Sequence, residues 1–397
     1  MGRHRSKAFV YHAPRDVRVE TLDIECGPTD IVVKVLACGR CGTDKGIFAK
    51  GHPKVDPNAP IVLGHEICAE IVDVGPDVTR LTEGIGYKQG ETLSPEYLNF
   101  RPGERVTVQS RIAQYENGLL MLDPAKDITI LSFRINAGYS QYMRAPKELI
   151  QSGSVLRVSD NVSDEEAALV EPAACALESI FSTVHPTGVD GDGRHRFCAG
   201  PKQGGKAAVI GSGTVSLIYA RLLRIEGAAQ VWVFVRSEAK ARLVREILGD
   251  GFEALVMGDK TEDQVVNAAA SATGGHLFDD VAAACGDPAA QRLMLRLYTR
   301  DGGACGACFG GVRELVDGAD LDVHHYRAAA TVGSSGCSTR TMETIIRWIE
   351  EGQLSLKGFC SPKRYSLSTP PEEFFTAKGN GLKPILYPND GEGAKKL

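Results

Sequence analysis

Apolar and polar positions follow two rhythms along the chain. In the first part, short runs rich in branched and aromatic residues predict strands at 7–11 (KAFVY), 31–37 (IVVKVLA) and 66–75 (EICAEIVDVG). Another is predicted at 104–108 (ERVTV), after the turn signal Pro102-Gly103. Residues 1–150 therefore read as mostly β, with an irregular stretch at 82–103 that no pattern places. The span 159–184 reads as helix, with Ser163 as N-cap and Glu166 three residues on, a capping-box spacing. Residues 185–205, dense in glycine and charge, read as a loop and a domain junction. From 206 the rhythm becomes strand, turn, helix. Strands are predicted at 206–210, 230–235, 253–258, 277–286 and 304–311, and helices after the 210–213 turn, at 238–249 and at 291–303. Strands separated by helices of that length imply parallel βαβ units. A last helix is expected over 339–354.

Composition narrows the class without changing this picture. The chain has 397 residues, 43% hydrophobic, with a net charge of -5, so no basic excess is available to neutralise a nucleic acid. The basic start, MGRHRSK, reads as a solvated, frayed end. No apolar run is long enough to span a membrane, and the first residues lack the apolar core of a secretion signal. Eleven cysteines are too few for a disulfide-stapled domain of this size and their number is odd, which points to a reduced, cytoplasmic setting.

Two constellations carry chemistry. The first, Gly211-Ser-Gly213-Thr214-Val215-Ser216, is a dinucleotide fingerprint with its third glycine replaced, lying between a strand and a helix. Gly211 makes the tight turn and Gly213 admits a pyrophosphate, which the helix opening at Thr214 and Val215 then holds. At the end of the second strand, where an acid usually takes the ribose hydroxyls, stand Arg236 and Ser237. A cation beside a hydroxyl suits a 2′-phosphate, favouring NADP over NAD. The second constellation is spread through CGRCGTD (38–44), GHE (64–66) and EPAAC (171–175). A thiolate, an imidazole and carboxylates from Cys41, His65, Glu66 and Glu171 form a donor set suited to zinc. The Cys38-x-x-Cys41 spacing by itself is equally that of half a structural zinc site or a redox pair.

In this order, and with RPGERVTV, AGYSQYM, AVIGSGTVSL and DGGACGACFGG, the motifs resemble the zinc-dependent medium-chain alcohol dehydrogenases. The Glu after the histidine and the Glu171-Pro172 pair resemble the polyol, sorbitol, threonine and sugar dehydrogenase branch. The resemblance implies an α/β chain. A GroES-like, mostly β catalytic domain (1–184, completed by 338–397) would accompany a Rossmann domain with a doubly wound parallel sheet (185–337). It further implies Cys41 and His65 as ligands of one catalytic zinc, with Glu171 as the third. Glu66 would bind directly or exchange with water. Thr43 takes the substrate's proton, Asp44 orients His65, and Cys38 is a small buried strand residue.

The family's structural zinc is expected to be absent, because no cysteine lies between Val108 and Gly138. Gly46 stands where some relatives continue the proton relay with a histidine, leaving water, substrate hydroxyls, Lys45 or His52 to serve. Phe48, Tyr139 and the 109–136 stretch are placed at the pocket rim by analogy. Cys305-x-x-Cys308 reads as a buried strand and His324-His325 as a loop. The expected activity is hydride transfer between a nicotinamide and a secondary alcohol or ketone of a polyol, cyclitol or sugar. The expected assembly is a homodimer or homotetramer, with no nucleic-acid or membrane partner. The rival readings are a non-catalytic nucleotide-binding protein and a zinc-free reductase of the same fold.

Overall fold

A computed structural model describes residues 2–112, 114–116, 119–121, 131–312 and 318–390. It divides into two compact units, residues 1–172 with 338–397, and residues 173–337.

The first unit is built on a seven-stranded sheet. Its strands run in the order Val155–Arg157, Arg105–Val108, Glu66–Val74, Ile31–Gly39, Lys383–Leu386, Cys360–Tyr365, and Tyr142–Ala145 also pairs with Ile31–Gly39. A smaller sheet joins Asp16–Glu25, Arg3–Ala13 and Ile61–Val62. Ile31, Val33, Val35, Ile67, Ala69 and Ile71 face the core between them. Two couplings bear on chemistry. Gly39 pairs with Glu66 across the antiparallel ladder, and Leu386 and Ile385 pair with Cys38 and Gly39. Three sequence-distant segments thus meet at the end of one strand. The basic N-terminus is not frayed: its strand starts at Arg3, whose guanidinium pairs with Asp23 at 2.8 Å.

The second unit holds six parallel strands in the order Phe252–Val256, Gln230–Val235, Lys206–Ile210, Asp280–Ala283, Cys305–Cys308, Ala330–Gly333. Chain order therefore reverses between Lys206–Ile210 and Asp280–Ala283, the crevice where doubly wound sheets bind ligands. Cys305 is buried in its strand, as expected.

Three local readings need correction. The helix placed over 159–184 is two, Asp164–Ala168 and Val170–Phe181. Ser163 does cap the first, accepting from Glu166 N at 3.2 Å. The box stays open, because the Glu166 carboxylate takes the Ser163 hydroxyl and Leu356 N instead of Ser163 N–H. The loop at 185–205 contains a hairpin, Val184–Val189 with His195–Ala199. Both of its faces are largely exposed, so no hydrophobic alternation marks it. His324 and His325 lie in a short helix, Asp322–Tyr326, whose first amide is taken by the Asp320 carboxylate.

Within the hairpin, His185 is buried, with Nδ1 3.0 Å from Gly303 O and Nε2 2.8 Å from Asp280 Oδ1. A carbonyl and a carboxylate both accept, so the ring donates from both nitrogens and is cationic. Burial alone would lower its pKa, but Asp280 and the Gly303 carbonyl outweigh burial and raise it. The stabilisation is therefore complete below the unfolded value of about 6.5 and is lost as pH rises through the higher folded value. The melting-temperature deficit of His185→Gln against the parent is expected to be largest near pH 6 and to shrink toward alkaline pH; a deficit constant across pH would contradict this.

Candidate metal and dinucleotide sites

Cys41 lies just past the strand Ile31–Gly39 and caps the helix Gly42–Lys50, its sulfur accepting from Thr43 N at 3.5 Å. Asp44 completes the cap by accepting from Cys41 N at 3.2 Å, which fixes the backbone that carries the sulfur. His65 follows Gly64, which turns at φ 95° and has no room for a side chain because the Tyr139 ring lies against it. Glu66 opens the strand Glu66–Val74 and is almost wholly buried. One donor atom each from Cys41, His65 and Glu66 lie within 4.8 Å of one another. Cys38 stands outside this group, buried in its strand, and all eleven cysteines are free thiols.

The surroundings fit a cation. Glu66 Oε2 is buried without a hydrogen-bond partner among the described residues, while Oε1 accepts from Lys383 Nζ at 2.6 Å. A carboxylate oxygen left bare in the interior is costly unless a positive centre meets it. His65 gives the same signal. Burial disfavours its charge, yet Asp44 and the Cys41 sulfur hold its pKa well above the usual value. The pocket is thus strongly anionic. His65 Nδ1 faces Asp44 Oδ1 and Ser132 Oγ, each at 3.5 Å, leaving the other ring nitrogen toward the sulfur. Burial works against Asp44's charge too, but His65, the Tyr139 hydroxyl and Cys41 N–H together keep its carboxyl below the ordinary range. Glu171, in the first turn of Val170–Phe181, accepts from Ser110 Oγ at 3.1 Å and interacts electrostatically with His65, Glu66 and Lys383. Its pKa is raised, chiefly by burial. Thr43 is exposed beside the sulfur, and Lys45 is exposed on the same helix.

Phe48 and Tyr139 are core residues, not rim residues. Phe48 stacks on Phe375 with centroids 4.9 Å apart, and the fully buried Tyr139 donates to Asp44 Oδ2 at 2.7 Å. Residues 113–130 of the stretch expected at the rim fall largely outside the described residues, and nothing is assigned to their side chains. His52 Nδ1 accepts from Lys54 N at 3.1 Å and its ring meets Phe133 edge-on.

Three contributors lie outside the motifs, Lys383, Ser110 and Ser132, and a fourth, Gly39, lies inside CGRCGTD but is not singled out there. Ser132 holds φ 73°, a conformation costly for a serine, and so presents its hydroxyl to His65. A Cβ at Gly39 would collide with Glu66 Oε2. Gly39→Ala is therefore expected to displace that carboxylate and weaken metal binding at this cluster by about 10–100-fold with little loss of secondary structure. Titration against a chromophoric chelator, beside circular dichroism, checks this.

In the second unit, Gly211 (φ 139°) closes the strand Lys206–Ile210, and its amide donates to Phe234 O at 3.1 Å. Ser216 takes the place of the third glycine: its hydroxyl donates to Ala284 O at 3.2 Å, across the point where strand order reverses. Gly213 caps the helix Thr214–Ile225 without any side-chain bond, and nothing lies within 4 Å of where its Cβ would be. A helix N-terminus that opens on a glycine is where a dinucleotide's pyrophosphate would be held. Thr214 is buried and Val215 partly so. Arg236 is exposed directly after Gln230–Val235, and Ser237 caps Glu238–Leu248, accepting from Lys240 N at 3.4 Å. Lys240 is near enough to Arg236 that, beyond its burial, their repulsion lowers its pKa. Two cations therefore gather where the ribose of a dinucleotide would end.

A β-rich unit with a thiol, imidazole and carboxylate cluster, together with a doubly wound unit opening on a glycine turn, is the arrangement that the resemblance to medium-chain alcohol dehydrogenases implies. Comparison with known proteins agrees. Residues 27–85 match the alcohol dehydrogenase GroES-like domain. The chain is 28% identical over 280 residues to (R,R)-butanediol dehydrogenase of Bacillus subtilis, covering 68% of each. It is 26% identical over 240 residues to sorbitol dehydrogenase of the same organism, covering 57% of this chain and 59% of that one. A putative zinc-binding dehydrogenase from Sinorhizobium meliloti, solved bound to NADP, shares the fold with a TM-score of 0.75 at 21% identity, over 97% of this chain and 100% of that one. By these matches the chain is similar to the zinc-dependent medium-chain alcohol dehydrogenases.

Proposed function

We propose that this chain is a zinc- and NADP-dependent dehydrogenase that interconverts a secondary alcohol and a ketone on a polyol, cyclitol or sugar derivative. One observation carries the reading: one donor atom each of Cys41, His65 and Glu66 lies within 4.8 Å of the others, Glu66 keeps a buried carboxylate oxygen without a hydrogen-bond partner among the described residues, and Glu171 interacts electrostatically with His65 and Glu66. Cys41, His65 and Glu171 would hold the zinc, with Glu66 as an exchangeable fourth ligand. Bound there, zinc supplies a Lewis acid that lowers the pKa of a substrate hydroxyl. The protein's own residues do the rest. Asp44 and Ser132 hold His65 from its far side, a support that keeps a ligand's orientation and basicity. Thr43, exposed beside the sulfur, accepts the hydroxyl proton and passes it to water or a neighbouring substrate hydroxyl. A bound nicotinamide would supply the hydride acceptor, so that one hydride and one proton would depart for each ketone formed. Gly211, Gly213, Thr214 and Val215 take the pyrophosphate, and Arg236, with Ser237 and Lys240 beside it, takes the 2′-phosphate. The named substrates of the relatives, butanediol and sorbitol, support a substrate with neighbouring hydroxyls.

No described helix is long and apolar enough to cross a membrane, and eleven free thiols suit a reduced cytoplasm, where a homo-oligomer is expected. The test is nicotinamide absorbance with NADP and, separately, NAD, against polyols, cyclitols, sugars and simple alcohols. The expected result is reduction of NADP by one polyhydroxylated group, abolished by chelation. Turnover indifferent to chelation would favour a zinc-free reductase, and silence with zinc bound would favour a non-catalytic protein.

A further inference from the structure

We propose that Lys383 is a positioning residue of the metal centre: its ammonium occupies one oxygen of Glu66, leaves the other to face the metal, and keeps that bond weak enough to exchange. This rests on the metal reading above. Lys383 opens the strand Lys383–Leu386, which lies beside Ile31–Gly39 in the sheet, and it is only 6% exposed. Arg40 N donates to Pro384 O at 2.9 Å, tying the Cys41 loop to the residue after the lysine. The ammonium meets Glu66 Oε1 at 2.6 Å. The opposite oxygen, Oε2, has no hydrogen-bond partner among the described residues and is backed by Gly39, which has no side chain to fill the space. The carboxylate is thereby gripped on one side and bare on the other, a geometry that favours one oxygen per metal over two.

Charge gives the second argument. Cys41, Glu66 and Glu171 bring up to three negative charges to one buried site, and a divalent metal balances two. The Lys383 ammonium balances the third. It also competes with the metal for Glu66, so its effect is to lower the site's hold on the dication. A fourth ligand that lets go readily is what a substrate oxygen needs in order to enter.

The test compares wild type, Lys383→Met and Lys383→Arg, stripped of metal and titrated with zinc against a chromophoric chelator; melting curves report folding. Lys383→Met is expected to bind zinc about tenfold more tightly and release it more slowly, with Lys383→Arg near wild type. Cobalt-loaded Lys383→Met is expected to show weaker visible bands, as Glu66 adds its second oxygen to the shell. If Lys383→Met does not fold, Lys383→Gln, which keeps a donor for Oε1 without the charge, is expected to change affinity in the same direction. Zinc bound equally or less tightly by the charge-neutral variants, with one zinc on the wild type, would overturn the role of Lys383 alone. A wild type that binds no zinc would overturn the metal reading and this inference with it.

Discussion

Cys41→Ala is expected to leave the chain folded, release its zinc, and lower kcat/KM by at least about 10³. The sulfur is the one soft donor in the group of Cys41, His65 and Glu66, and the carboxylates are already engaged, Glu66 by Lys383 and Glu171 by Ser110. What the substitution removes structurally is small. Cys41 is only partly buried, and its capping contact with Thr43 N is long at 3.5 Å. Losing a helix cap costs about 1 kcal/mol, and the core formed by the Ile31–Gly39 and Glu66–Val74 strands does not depend on it. Metal content by mass spectrometry, circular dichroism and nicotinamide absorbance read the three outcomes separately. A variant that keeps both zinc and turnover would show that the sulfur is not a ligand.

Arg236→Ala is expected to lower kcat/KM for NADP by about 10–100-fold and to leave that for NAD nearly unchanged, because hydrogen bonds to a charged partner are worth about 1.5–3 kcal/mol. Arg236 follows the second strand of the parallel sheet, where a dinucleotide's ribose would end, and Lys240 adds a second cation there. With the guanidinium gone, the lysine keeps part of the attraction, so the loss is graded. Steady-state rates with both cofactors check it; equal losses for NADP and NAD would mean that Arg236 supports the fold and not the phosphate.

Much of this was legible in the sequence because it is local. The strand, glycine turn and helix at 206–225 form from neighbours, and Ser163 marks a helix start by its own chemistry. Cys41, His65 and Glu66 were readable as a donor set since each residue type is distinctive. What stayed hidden depends on distant partners. Lys383 reaches Glu66 across 317 positions, delivered by a neighbouring strand, and nothing beside it in the chain marks it as buried. Ser132 is an ordinary serine until the backbone forces it to positive φ beside His65. The hairpin at 184–199 has too much glycine and too little burial to show a period of two. Phe48 and Tyr139 were set at a pocket rim by position, whereas their aromatic faces are consumed by Phe374 and Phe375.

The central claim is that one metal sits among Cys41, His65, Glu66 and Glu171. The most direct measurement is the zinc content of the purified chain, counted per protein before and after chelation, with nicotinamide-linked turnover followed on the same samples. One zinc per chain, with turnover lost as it is removed and regained as it is restored, is the predicted result. Full turnover from a chain containing no metal would contradict it.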